Sequence, residues 1–139
     1  MFSSFRAFEV NLFSSLLSLI TLRLIYMKQT LKKNEIIRKR KEIEQVLKKG
    51  NRVQTDNVIL RFFPSPQKRV AFLIPRQIKT AVMRNLVRRR FREIYRLNKE
   101  SFAEGFDYVI QARENAKNKN FWELKEELLT LTKGITTHA

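Results

Sequence analysis

Apolar positions recur at helical spacing across Lys32–Lys49, where Ile36, Ile37, Ile43, Val46 and Leu47 stand among many charges, predicting an amphipathic helix. Gly50 follows the last lysines and predicts a left-handed C-terminal stop. Val53 opens an extended region, and Val58-Ile59-Leu60-Arg61-Phe62-Phe63 has the β-branched and aromatic content of a strand. Pro64-Ser65-Pro66 breaks it. A second apolar run, Val70 to Ile74, ends at Pro75. Thr80 is placed to cap a long helix in which Met83, Val87, Phe91 and Ile94 share one arc, bordered by Leu86 and Leu97. After Gly105, Asp107 to Arg113 reads as a last strand, with Asp107 capping or starting it. Phe121, Leu124, Leu128 and Leu131 mark a closing helix that Gly134 can end, and the spacing makes Phe121 and Trp122 packing residues. The order α-β-β-β-α-β-α predicts an α/β fold, a two-layer α-β sandwich with one central sheet covered by helices on one face. No repeat or interdomain linker interrupts it.

The long helix has a second arc. Asn85, Arg88, Arg89, Arg92 and Arg96 fall opposite the apolar one, with Arg84 and Tyr95 where the two meet. Between Arg84 and Arg96 there are six arginines and one acid, Glu93. Most charge runs are solvated helix faces. Here the side chains are nearly all guanidinium rather than a Lys/Glu mixture, and guanidinium forks match phosphate oxygens in two-point contacts. Asn85 can reach a sugar, a base edge or only the backbone. Composition points the same way. A formal net charge of +16 over 139 residues exceeds what solubility needs, which is about 2–8 for a small domain. Such an excess is self-repelling unless a polyanion is near, and nucleic acid becomes the first partner to consider.

Composition also narrows the chemistry. With 43% apolar residues, 11 Phe and only 3 Gly and 3 Pro, the chain can build a core rather than remain a basic tail. It has no cysteine, so disulfides, thiolate nucleophiles and cysteine-based zinc sites are excluded. The single histidine, His138, lies one residue from the end. There is no paired-carboxylate motif and no Gly-rich phosphate loop; Asp56, Glu93 and Asp107 are isolated. No catalytic residue and no metal site is expected in this chain, and a cytoplasmic location is the default.

Residues 1–26 read differently from residues 27–139. They carry Arg6, Glu9 and Arg23, leaving +15 on the remainder. The apolar, serine-containing stretch Val10–Leu22 is thirteen residues, short of the roughly 20 that span a bilayer. Arg6 before a short apolar run fits a signal peptide, but no Ala-x-Ala-like site follows. Leu12, Leu16, Leu19 and Leu22 fit a helix lying on the domain. Met27, followed by Lys-Gln-Thr-Leu-Lys-Lys, equally reads as the biological start. The chain therefore divides into an extension, 1–26, and a basic domain, 27–139, with nucleic acid as its expected partner. No stable membrane association is expected.

Lys79-Thr80-Ala81-Val82-Met83-Arg84-Asn85-Leu86-Val87-Arg88-Arg89-Arg90-Phe91-Arg92-Glu93 resembles the signature helix of the bacterial ribonuclease P protein subunit, Ala-Val-x-Arg-Asn-Arg-(Ile/Val)-Lys-Arg-x-(Leu/Ile/Phe)-Arg-Glu. Ile43 to Gly50 resembles that family's first helix with its terminal Lys-Gly. Arg69-Val70-Ala71 resembles its Arg-Val-Gly strand opening, Asp107 to Arg113 its Asp-Tyr-Val-Ile-x-Ala-Arg strand, and Phe121 to Leu131 its closing helix. The resemblance covers about Ile37 to Ile135. It departs at Leu86, where the family has arginine, and at Pro75, Gln77 and Lys79, where it has Ser, Lys and Gly. Ile43 and Leu47 stand at positions usually phenylalanine. Arg90, one turn beyond Leu86 on the same side, is expected to restore part of the lost charge.

The resemblance implies a ribosomal S5 domain 2-like sandwich and a subunit of an endoribonuclease that removes the 5′ leader of precursor tRNA. It implies that catalysis belongs to a partner RNA using Mg2+. Arg84, Asn85, Arg88, Arg89 and Arg92 would face that catalytic RNA, with Arg90 and Arg96 adding charge. A cleft between the first helix and the sheet would hold the leader, with Ile43 and Leu47 opposite Arg61, Phe62 and Phe63. Strand alternation requires one of the two phenylalanines to be core. The competing class is a non-enzymatic ribosomal or RNA-chaperone protein, which shares the basicity but needs no leader cleft. A basic membrane-surface protein is a third reading and rests on residues 1–26 alone.

Overall fold

The computed structural model describes residues 17–20 and 30–138. By backbone contacts the chain divides into two units, Met1–Thr30 and Leu31–Ala139. In the first, residues 17–20 are helical and exposed. Apart from those four, the predicted features of residues 1–26, and Met27 as a start, lie outside the described residues.

In the second unit the elements are α1 (Arg40–Lys49), β1 (Asn51–Gln54), β2 (Val58–Pro64), β3 (Arg69–Leu73), α2 (Ala81–Leu97), β4 (Phe106–Ala112) and α3 (Phe121–His138), with short 3-10 turns between some of them. The sheet order is β1-β2-β4-β3. β2 pairs antiparallel with β1 and β4, whereas β3 runs parallel to β4, with α2 in the crossover between them. The α/β sandwich and its element order are as the pattern predicts.

The larger core lies on the face under α2 and α3. Val58, Leu60 and Phe62 of β2, Val70 of β3 and Tyr108, Ile110 and Ala112 of β4 meet Val87, Phe91, Ile94 and Tyr95 of α2 and Leu124, Leu128, Leu131 and Ile135 of α3. Alternation sends the intervening residues to the other face. That face is not bare, which corrects the expectation of a sheet covered on one face only: α1 packs Ile43, Val46 and Leu47 onto Phe63, Ala71, Leu73 and Val109. Arg69 secures α1 to the sheet, placing one guanidinium nitrogen 2.9 Å from Asp107 and another 3.2 Å from Glu42. The hydrogen bond to Asp107 is the main reason the Arg69 guanidinium is held even more firmly protonated than usual. Asp107 thus lies within β4 as an ion-pair partner rather than a cap.

Several local expectations are corrected. The first helix begins at Arg40, not Lys32, because Ile36 bridges to Val70 and Ile37 N–H donates to Val70 O (2.9 Å) along the outer edge of β3. Ile36 and Ile37 therefore serve the sheet edge. Gly50 ends α1 with φ −73°, not in the left-handed region. Glycine is needed there because a Cβ would collide with Val46 O and lie 2.9 Å from Phe62 O. Gly134 does not stop α3, which runs on to His138; it faces Val53, which a Cβ would meet at an ordinary 3.7 Å. Thr80 does cap α2, its Oγ1 accepting from Met83 N–H at 3.2 Å. Trp122 is 66% exposed and is not a packing residue, whereas Phe121 packs against the core.

Candidate nucleic-acid interface

α2 is seated by its apolar arc. Val87, Phe91 and Ile94 are fully buried, and Tyr95 joins them against Phe102 (ring centroids 4.8 Å) and Phe72 (6.3 Å). Tyr95, placed by sequence on the boundary, belongs to the core. A helix anchored so completely holds its outer face still, which lowers the entropy lost when that face binds.

The arginines divide by what they touch. Arg89 and Arg92 are exposed, and their side chains make no hydrogen bond or ion pair among the described residues. Arg88 is exposed and donates to Asn85 Oδ1 at 2.9 Å, so Asn85 orients a neighbouring guanidinium. Arg84 turns back, donating to the carbonyls of Ile78 (2.7 Å) and Lys79 (3.0 Å) at the loop leading into the helix. Arg90 is half-buried and donates to Lys119 O at 2.6 Å, fastening the loop before α3. Arg96 lies 2.7 Å from Glu93 and is half-buried. The outward cationic face is thus narrower than the sequence arc: Arg88, Arg89 and Arg92 present it, while Arg84, Arg90 and Arg96 hold structure. Leu86 is half-buried at its border.

A groove of about 460 Å³ runs beside this face. Asn85, Arg88, Arg89 and Arg92 line one side, and Ile36, Ile37, Ile43, Ala71 and Phe72 line the rest. Sequence reading missed Ile36, Ile37, Ala71 and Phe72 because the groove forms only where the 36–37 segment joins the edge of β3.

The residues expected at a leader cleft are brought together with one exception. Ile43, Leu47 and Phe63 share the cluster on the α1 face, and Arg61 reaches into it, its Nη1 donating to Leu47 O at 2.9 Å. Burial, then the nearby positive charge of Arg52, lowers the Arg61 pKa, so an anion placed there would be favoured. Phe62 is the exception. It is 1% exposed, points to the other face and packs edge-on to Phe106 at 5.5 Å. Strand alternation removes it from any cleft that contains Arg61 and Phe63. On the cleft's own face, the side-chain Arg61 Nε and Gln111 Oε1 are buried without a hydrogen-bond partner among the described residues.

One acid of α3 is engaged structurally. Glu127 accepts from Thr55 Oγ1 (2.9 Å) and Asn57 Nδ2 (2.7 Å), tying the β1–β2 turn to α3. Among the described residues no three His, Asp or Glu side chains converge as a metal site would need, and no helix is long and apolar enough to cross a membrane.

Residues 31–136 match the family described as Ribonuclease P. The chain is 34% identical over 113 residues to the ribonuclease P protein component of Petrotoga mobilis, covering 77% of this chain and 96% of that protein. It is 34% identical over 101 residues to the ribonuclease P protein component of Pelotomaculum thermopropionicum, covering 71% and 90%. Among solved structures, the RNase P protein from Thermotoga maritima superposes with a TM-score of 0.65 at 30% identity, covering 71% of this chain and 96% of that one.

Proposed function

From the premise that this chain belongs to the ribonuclease P protein family, we propose how its surfaces share the work of tRNA maturation. The chain is the tRNA-processing protein subunit, and its partner is an RNA. The finer reading is that the partner RNA is the catalytic subunit, and that α2 grips its phosphates through Arg88, Arg89 and Arg92. The observation that carries this is a rigid helix with fully buried Val87, Phe91 and Ile94 on one side and unpaired Arg89 and Arg92 on the other. Structured RNA is recognised largely through shape, phosphates and 2′-hydroxyls, which such a helix suits.

The leader of precursor tRNA is assigned to the α1 face of the sheet. Phe63 offers a ring on which any base can stack, Ile43 and Leu47 the apolar wall, and Arg61 the charge that meets a backbone phosphate. The unpartnered Arg61 Nε and Gln111 Oε1 support a polar ligand on this face. Stacking tolerates every sequence, as a protein meeting many leaders requires. No residue here is assigned to bond cleavage. Mg2+ held by the RNA would stabilise charge on the attacking and leaving oxygens. This chain neutralises phosphates and holds the leader, favouring precursor over product in the cytoplasm.

Reconstitution tests the reading. The full chain, added to a matching ribonuclease P RNA at low magnesium, should stimulate precursor cleavage and raise affinity for precursor over mature tRNA. Absence of stimulation, with tight binding to ribosomal RNA instead, would replace it with the ribosomal or RNA-chaperone reading.

A further inference from the structure

We propose that the groove beside α2 receives one unstacked nucleotide of the catalytic RNA, its base on the apolar floor and its phosphates against Arg89 and Arg92. The proposal rests on the assignment of α2 to that RNA.

A helix that met only phosphates would need no recess. Here Ile36, Ile43 and Phe72 remain half-buried beside exposed guanidiniums, and no acid lines the groove. Its occupant is therefore anionic at one side and flat or apolar at the other, the composition of a nucleotide. The volume, about 460 Å³, falls within the roughly 300–1,000 Å³ of small-ligand sites.

The sheet edge adds hydrogen-bonding capacity. Val70 O points outward to accept from Ile37 N–H. Strand alternation turns the Phe72 backbone the same way, past the point where pairing with the 36–37 segment stops. A donor and an acceptor thus face the groove at the position where the Phe72 ring also lies. A base has an edge for the first two and a π-face for the third.

The leader is a poorer occupant. Leu47, Arg61 and Phe63 do not line this groove, although Ile37, Ile43 and Ala71 belong both to it and to the α1-face cluster. Continuity with Arg88, Arg89 and Arg92 assigns the groove to whatever α2 grips.

The chain has no cysteine, so Ile36→Cys carries a single thiol for an aryl azide. Irradiated with ribonuclease P RNA alone, it should crosslink to the base of one unpaired nucleotide, and adding precursor tRNA should not move the crosslink. Crosslinks scattered over helical RNA, transferred to the leader, or absent would overturn the proposal. In parallel, Phe72→Leu keeps apolar bulk but removes the ring. It should weaken binding to the RNA alone about tenfold without changing the salt slope. Ile36→Thr, away from the Phe72–Tyr95 contact, should act in the same direction, with thermal unfolding confirming that both variants fold. Unchanged affinity in both variants would reduce the groove to a surface crevice. If Arg92→Gln still flattens the salt slope in that case, only the groove assignment fails. If Arg92→Gln also does nothing, the assignment of α2 to RNA fails with it.

Discussion

Arg92→Gln and Arg90→Gln remove the same charge from the same helix two residues apart, yet the structure assigns them opposite consequences. Arg92 is exposed with no partner among the described residues, while the Arg90 guanidinium is spent on Lys119 O at 2.6 Å. Each phosphate contact contributes about 0.7–0.9 to the slope of log affinity against log salt. Losing one contact should flatten the slope by that amount. Between about 50 and 200 mM salt, the gap between wild type and Arg92→Gln should narrow by about threefold. Arg90→Gln should leave the slope alone and cost stability instead. A hydrogen bond from a charged group contributes about 1.5–3 kcal/mol, and partial exposure brings this to about 1 kcal/mol. That corresponds to about 4 °C in Tm for a domain of this size. Filter binding of ribonuclease P RNA across a salt series, paired with thermal unfolding, reads both quantities. A flattened slope for Arg90→Gln with an unchanged one for Arg92→Gln would refute the division of the arginines. It would also restore Arg90 as the substitute for the guanidinium missing at Leu86.

Three further outcomes are expected. Phe62→Ala should destabilise the fold by about 3–5 kcal/mol in chemical denaturation, because it empties a core site. Phe63→Ala should instead leave the fold largely intact and weaken precursor relative to mature tRNA by about fivefold; equal losses from the two variants would contradict their placement on opposite faces. Glu35 should titrate below its ordinary 4.5: burial alone would raise it, but Lys32 N–H and the Lys99 ammonium together outweigh that. Since its folded pKa is the lower one, its stabilising contribution is complete above about pH 4.5 and fades as pH falls through the folded value. NMR titration of the Glu35 carboxyl, with Lys99→Met shifting it upward, checks the sign, and a titration above 4.5 would contradict the pairing.

Much of the architecture was legible because it is written in local periods. The 3.6-residue recurrence of Met83, Val87, Phe91 and Ile94 located α2, and Thr80 located its start. The strand runs of β2, β3 and β4 lay between prolines and glycines that punctuate them. The errors occurred where a local signal had two readings. Ile36 and Ile37 fit a helical arc as well as a strand edge, and only the approach of Val70, more than thirty residues away, selects the edge. Gly134 resembles a stop signal, but Ile135 beyond it is buried in the core, which holds the helix together through the glycine. Trp122 had core spacing, yet the apolar stripe of α3 that faces the sheet passes through Leu124, Leu128, Leu131 and Ile135 instead.

The sequence by itself determined a basic α/β domain with an arginine helix, since helical period and charge are properties of neighbours along the chain. Local contacts with Glu93 and with the carbonyls of Ile78 and Lys79 claim Arg96 and Arg84, but tertiary structure alone decided that Arg90 is spent, on Lys119 O 29 residues away. It also decided which face of β2 meets α1, so that Phe62 enters the larger core while Phe63 stays with Arg61, and that an apolar groove opens beside Arg88, Arg89 and Arg92. Those outcomes depend on strand register and on contacts between residues far apart in sequence, and no local pattern encodes them.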